Sequence, residues 1–216
     1  MPTDLTVICV LRKSKDYGPE DVAKLQQGVA QHLSLPHRFV CLSNVDVPCE
    51  RIAMQHDWLG WWSKIELFRP GVITGPTIYL DLDNVVIGDF SRIVGFNQDW
   101  AMMQNLSRPH MVSSAVMWFY HRAPVDVYKK FVVNPQHWLK YHQDNKDGPY
   151  LGDQAFIWDA LNRSVPVMSA REHGICSYRL HVKSQGKPPD WCKIVCFGGR
   201  FKPNNVNDEW LKTIRG

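Results

Sequence analysis

The sequence lacks a long hydrophobic run, an internal repeat, a low-complexity tract and a dominant sign of charge. Its longest apolar stretches, such as Val7 to Leu11 and Ala115 to Phe119, fall far short of the ~18 residues of a membrane-spanning helix. Residues Met1 to Val7 hold neither a basic segment nor a long apolar one, so they do not read as a secretory leader. Cysteine is present but in no recognisable framework. Cys9, Cys41, Cys49, Cys176, Cys192 and Cys196 are scattered, and Cys192 with Cys196 has no second pair at zinc spacing. Cys9 and Cys41 lie in apolar, strand-like runs, where a buried reduced thiol is expected. These absences together predict a reducing, cytoplasmic setting and no membrane insertion. Lysine plus arginine is 25 against 21 acids, and the net +4 is too small, as a whole-chain figure, to demand a nucleic-acid or membrane partner.

What is present is the composition of a globular chain. At 216 residues it is long enough for one sizeable domain and too short for two full ones. With 44% hydrophobic and 21% charged residues it is not a disordered chain. Nine tryptophans are many, and suit either a rich core or a site that stacks on a sugar or a base.

The chain opens as strand, helix, strand, which is the start of an α/β sheet. Thr6 to Leu11 reads as a buried strand. A turn at Asp16 to Pro19 follows, and Pro19 suits the first turn of a helix. Val22, Leu25, Val29 and Leu33 then form a helical apolar stripe that Pro36 ends. Arg38 to Leu42 is a second strand. Further on, Trp58 to Phe68 and Asp89 to Phe96 read as short helices. Thr77 to Leu82, Trp100 to Gln104 and Ala115 to Tyr120 read as strands. Pro124 to Val133, Gln136 to His142 and the segment from Gly152 are helical, the last with Phe156, Ile157, Ala160 and Leu161 on one face. Val165 to Met168 and Lys193 to Phe197 are late strands, and Asp208 to Ile214 is a terminal helical turn. Residues 143–150 and 184–190 are loops by their glycine and proline.

Chemistry concentrates at Tyr79-Leu-Asp-Leu-Asp83. Side chains alternate on a strand, so Tyr79, Asp81 and Asp83 are expected to share one face while Leu80 and Leu82 point to the core. Two carboxylates so placed repel unless a cation sits between them, and the carboxyl end of an α/β strand is the usual ligand crevice. Hard oxygens suit Mg²⁺ or Mn²⁺, ions that complete their shell with substrate phosphates. The plainer reading is a pair of solvated acids leaving a strand.

An apolar strand followed by D-x-D occurs in two families. Phosphatases with an aspartyl nucleophile are resembled only through Asp81-Leu-Asp83, and carry the motif on the first strand of the domain. Here a strand–helix–strand half precedes it. The chain resembles the GT-A glycosyltransferases more broadly, in particular glycogenin-like and lipopolysaccharide galactosyltransferase-like enzymes and their small bacterial and viral relatives. The likeness runs from about Thr6 to Pro203. It is carried by Tyr17-Gly-Pro-Glu20, Gly60-Trp-Trp-Ser-Lys-Ile-Glu-Leu-Phe-Arg-Pro70, Tyr79-Leu-Asp-Leu-Asp83, Ser113-Ser-Ala-Val-Met117, Gly152-Asp-Gln154 and Phe197-Gly-Gly-Arg-Phe-Lys-Pro203.

The resemblance implies a single GT-A-like α/β domain with a mixed central sheet, its Rossmann-like nucleotide-binding half over about 1–84 and its sugar and acceptor half over 85–216. It implies transfer of a sugar from a nucleotide-diphosphate donor, a UDP-sugar by expectation, to an acceptor hydroxyl, in the cytoplasm (the host's, for a viral member). Asp81 and Asp83 would hold Mn²⁺ or Mg²⁺, and retention of anomeric configuration is favoured. Val10, Leu11 and Arg12 would meet base and ribose. Tyr17 either stacks on the base or covers the first strand from its turn. Lys64 either faces the donor phosphates or is a solvated helix lysine. Trp61 and Trp62 read as core or rim packing. Ser113 or Ser114 would bond a sugar hydroxyl. Asp153 and Gln154 would contact donor sugar and acceptor, with Asp153 the base if the reaction inverts, though Asp153 also reads as a simple helix cap. Arg200 and Lys202, with the backbone of Gly198 and Gly199, would meet the diphosphate.

One position departs from the family's pattern. Related retaining enzymes carry a third metal ligand, His, in a run like F-H-G-x-x-K-P, and Gly198 stands in its place. Water, His181 or His173 are the substitutes. The departure bears on metal dependence and stereochemistry, and it supports a third reading, a non-catalytic sugar- or nucleic-acid-binding module.

For the acceptor, a saccharide, a lipid-linked glycan, a protein side chain and a hydroxymethylated DNA base all fit the pattern. Asn204 to Gly216 form no basic amphipathic tail of the kind a lipid-linked acceptor wants, which favours a soluble glycan or a hydroxymethylated DNA base. Charge is local. Arg179, Lys183, Lys187, Lys193, Arg200 and Lys202 face one acid, Asp190, so this segment is +5 and the rest of the chain −1. Arg179, Lys183 and Lys187 exceed what a diphosphate needs, which keeps a polyanionic acceptor such as DNA in view.

Overall fold

The computed structural model describes residues 5–144 and 152–215. Most of the loop expected at 143–150 therefore lies outside the described residues. Strand β1 (Leu5–Leu11) is apolar on both faces, as a strand covered on both sides must be. Helix α1 (Pro19–His32) starts at its proline, and the Gly18 N–H donates to the Asp21 carboxylate at 3.0 Å. Val22, Leu25 and Val29 bury its inner stripe, and the helix ends before Pro36 rather than at it. Strand β2 (His37–Ser43) runs parallel to β1, with Val7 opposite Phe39. Strand β3 (Glu50–Ala53) lies on the edge and shows no alternation that the sequence pattern could reveal.

The stretch expected as a helix around Trp58 to Phe68 winds as a tighter 3-10 helix over Gly60–Phe68. Strand β4 (Thr77–Leu80) pairs parallel with β1, and β5 (Asn84–Val86) follows after a turn. A 3-10 turn (Ser91–Gly95) leads to β6 (Trp100–Gln104) and β7 (Val112–Phe119), which are antiparallel to each other. Helices α2 (Asp126–Val133), α3 (Pro135–Asp144) and α4 (Gly152–Ala160) come next. The chain closes with β8 (Val167–Met168), β9 (Ile175–Ser177), a π-helical turn (Tyr178–Val182), β10 (Ile194–Cys196) and α5 (Glu209–Arg215).

Seven strands form a mixed sheet in the order β3-β2-β1-β4-β7-β6-β8, and β5-β10-β9 form a smaller one. Alternation along β1 sends Val7, Cys9 and Leu11 to one face and Ile8 and Val10 to the other. The first face packs against α1. The second packs under the 3-10 helix, α2 and α4, where Phe131 stacks on Trp62 and meets Phe156 edge-on. A third cluster, with Tyr178, Val195, Phe197 and Leu211, underlies the small sheet. All six cysteines are free, and burial raises the Cys9 thiol as expected for an inert core cysteine. Among the described residues no helix is long and apolar enough to cross a membrane.

Candidate active site

The sheet order places a crevice where β1 is flanked by β2 on one side and β4 on the other. At the carboxyl end of β1 stand Val10 and Arg12. Leu11 points the other way into the core, which removes it from the expected base contacts. At the carboxyl end of β4 stands Asp81. Strand β7 runs antiparallel, so its beginning arrives at the same place, and the Asp81 N–H donates to Ala115 O at 3.0 Å. Ser113 and Ser114 follow Val112 in that strand and line the crevice.

The acidic pair does not sit on a pleat. Strand β4 stops at Leu80, and Asp81 to Asn84 closes a turn in which the Asn84 N–H donates to Asp81 O at 3.0 Å. Leu82 packs against the core as expected but is only half-buried and also reaches the cavity wall, and the turn, not alternation, brings Asp83 round beside Asp81. The local reason is that ladder pairing with β7 ends at Leu80 opposite Val116, leaving the next residues free to turn.

A buried network surrounds Asp81. Lys64 Nζ lies 2.9 Å from Asp81 Oδ1, 2.9 Å from Asp153 Oδ2 and 2.9 Å from Ser114 Oγ, so all three N–H bonds of the ammonium have acceptors. Ser114 donates to Asp153 Oδ2 at 2.5 Å, and the Tyr79 hydroxyl donates to Asp81 Oδ1. Burial by itself favours neutral Lys64, but Asp153 and Asp81 more than offset it and raise the ammonium's pKa. Lys64 is thus no solvated helix lysine. Its 3-10 helix is moored through Glu66, fully buried, which accepts the N–H groups of Gln55 and His56 at 2.8 Å each.

Asp83 has its own partners. Its Oδ2 accepts the Tyr17 hydroxyl at 3.1 Å and Lys202 Nζ at 2.9 Å. Burial and the neighbouring Asp81 charge push the Asp83 carboxyl up, and Lys202 and Tyr17 offset part of that. Tyr17 lines the cavity and also packs on the core below, so the two expectations for it meet in one side chain. Three carboxylates, Asp81, Asp83 and Asp153, therefore face two ammoniums. Among the described residues Asp81 Oδ2 and Asp83 Oδ1 have no hydrogen-bond or ion-pair partner. These two oxygens fit a hard divalent cation.

Among the described residues no third His, Cys, Asp or Glu stands where it could share a metal ion with this pair. His173 is held at Ser169 O and packs on Phe96, while His181 Nδ1 accepts the Ser177 N–H and its ring meets Trp191, so neither substitutes for the absent ligand at Gly198. Gly198 itself lines the cavity, and a Cβ there would meet nothing within 4 Å.

The cavity measures about 830 Å³ and holds Val10, Arg12, Tyr17, Lys64, Asp81, Asp83, Ser113, Ser114, Asp153, Gln154 and Lys202 of the expected site. Arg200 is not in its lining. Gly199, at φ 62°, turns the loop so that the Arg200 guanidinium lies 5.1 Å from the Phe201 ring. Trp62 is core, whereas Trp61 is 59% exposed on the cavity rim. Asn105, Ser177 and Arg179 also line the cavity, and their turns and three-residue strand leave no periodic trace in the sequence.

No protein-family model matches the chain, and no curated protein matches it in sequence. Solved structures do match it. The apo form of the glycosyltransferase GlyE of Streptococcus pneumoniae TIGR4 superposes with a TM-score of 0.66 over 99% of this chain, at 13% identity. An active-site mutant of LgtC superposes at 0.61 over 97% of this chain and 94% of LgtC, at 10% identity. The galactosyltransferase LgtC in complex with donor and acceptor sugar analogues gives 0.57 over 98% and 95%, at 12% identity. The chain has the fold of the GT-A-type glycosyltransferases. It spans 60% of the length of GlyE and almost the whole of LgtC.

Proposed function

We propose that this chain transfers a sugar from a nucleotide-diphosphate donor, a UDP-sugar, to an acceptor hydroxyl. The observation that carries the reading is the convergence of Asp81, Asp83, Asp153 and Lys64 in one cavity at the switch point of a glycosyltransferase fold. Mn²⁺ or Mg²⁺ held by the free oxygens of Asp81 and Asp83 would supply positive charge against the donor diphosphate. Lys202, paired with Asp83 in the same cavity, adds a cation for the leaving group. Lys64 fixes the positions of Asp81 and Asp153, and Ser113 with Gln154 offers polar contacts to sugar and acceptor. Asp153 Oδ2 is engaged by an ammonium and a hydroxyl, which suits a carboxylate that holds charge rather than one that takes a proton, and so supports retention. The acceptor is a glycan or a hydroxymethylated DNA base.

The test is hydrolysis of a panel of nucleotide-sugars in the presence of Mn²⁺, with wild type and Asp83→Asn. Turnover by wild type that the variant loses, with the fold intact by circular dichroism, is the expected result. Equal turnover by both would remove Asp83 from the site. Turnover of a generic aryl phosphate without need of nucleotide-sugar would favour the phosphatase reading. Donor binding without turnover would favour a binding module.

A further inference from the structure

We propose that the face beside the cavity mouth formed by Arg179, Lys183 and Arg200 binds a phosphodiester strand, so that the acceptor is carried on nucleic acid and not on a neutral glycan. The acceptor part of this statement rests on the sugar-transfer reading; the strand-binding part does not. Lys183 Nζ lies 4.7 Å and Arg200 Cζ 5.1 Å from the centre of one ring, Phe201. The two charges are therefore within about 10 Å of each other, roughly one Debye length, and repel. Arg179 sits on the same π-helical turn that leads into Lys183, and it lines the cavity itself.

No carboxylate answers these charges. Among the described residues Arg179, Lys183, Lys187 and Arg200 have no acidic partner, and of the basic segment Lys202 alone pairs with one, Asp83. A row of exposed, unpaired cations costs self-repulsion that a polyanion relieves, with release of its counterions. A single anionic group would answer one or two of the four. Lys187 is four residues from Lys183 and so within about 14 Å of it, and a strand spanning these cations as far as Arg179 ends at the cavity. There Trp61, exposed on the rim, offers a flat face to an unstacked base.

The experiment is fluorescence anisotropy of a short labelled oligothymidylate against the whole protein over about 50 to 200 mM KCl. Affinity should fall log-linearly with salt, and Lys183→Ala with Lys187→Ala should flatten the slope by about 1.4, roughly 0.7 for each phosphate no longer neutralised. Both positions are exposed and outside the cavity, so the variant should hydrolyse nucleotide-sugar as wild type does. Binding that is absent, indifferent to salt or unchanged in the variant overturns the proposal. So does an equal dependence on these lysines for a carboxylated oligosaccharide that outcompetes the strand. Strand binding in a protein that hydrolyses no nucleotide-sugar keeps the binding face and defeats the transfer reading. Hydrolysis without strand binding does the reverse.

Discussion

Lys64 and Asp153 form a buried ion pair, 2.9 Å from ammonium nitrogen to carboxylate oxygen, that ties the 3-10 helix to the first turn of α4. Asp81 shares the same ammonium, also at 2.9 Å. One cation therefore holds the positions of two carboxylates that come from separate parts of the chain.

Removing that cation leaves the carboxylates buried and uncompensated. Lys64→Met is expected to destabilise by about 3–5 kcal/mol, a fall in Tm of roughly 6–20 °C for a domain of this size. Adding Asp153→Asn should recover part of that stability and none of the nucleotide-sugar turnover. Differential scanning calorimetry beside a hydrolysis assay checks both, and full recovery of turnover by the double variant would show that the pair is only structural.

Gly198 has open space where a side chain would go. Gly198→His should fold and should tighten Mn²⁺ binding by about 10-fold or more, because imidazole would join the free oxygens of Asp81 and Asp83. Isothermal titration with MnCl₂ measures this. An unchanged affinity would mean that the loop does not bring residue 198 to the ion.

Gly152 is at φ 75°, and a Cβ there would lie 3.0 Å from the Trp61 indole nitrogen. Gly152→Ala should cost about 1–2 kcal/mol from backbone alone, a fall in Tm of roughly 2–8 °C. Pairing it with Trp61→Ala should leave most of the destabilisation in place, since the left-handed backbone remains. Recovery in the pair would assign the cost to the clash with the indole.

Asp89 joins two loops. Its carboxylate accepts the N–H and hydroxyl of Ser34 at 3.3 and 3.0 Å, and those of Ser91 at 3.0 and 2.8 Å. Burial is the largest single influence and opposes the charged form, but the four bonds together outweigh it and lower the pKa from its usual 3.8. A depressed carboxyl contributes stability above its unfolded pKa and loses it as pH falls through the folded one. Asp89→Ala should therefore lower Tm at pH 7 by a few degrees, modest because the site is exposed. The gap to wild type should begin to narrow near pH 4 and go on narrowing as pH falls through the folded pKa. A gap independent of pH would mean that packing, not charge, is responsible.

The main elements were legible because their periods are local. The α1 stripe of Val22, Leu25 and Val29 repeats with the helix, and the apolar runs of β1, β2, β6 and β7 are long enough to show. The strands β3, β5 and β9, of three or four residues, were not, since each is too short to show a period; the equally short β10 showed only because Ile194 to Phe197 is an unbroken apolar run. At the site, the residue types around Asp81 and Asp83 could be read, while the turn that positions them could not. Its hydrogen bonds depend on where β7 ends its pairing.

Arg200 shows the same division. Its place in a basic segment is plain from the sequence, but the turn at Gly199 decides that it stands over Phe201 and outside the cavity. By itself the sequence determined an α/β domain, an acidic pair after an apolar strand and a basic segment near the end. Only the tertiary structure decided that Lys64, Asp81, Ser114 and Asp153 meet, that Asp81 and Asp83 keep one free oxygen each, and that Lys202 pairs with an acid while Arg179, Lys183 and Arg200 do not. Periodicity records what a residue's near neighbours do. Strand order and register bring distant segments together, and the pairing of charges follows from that meeting.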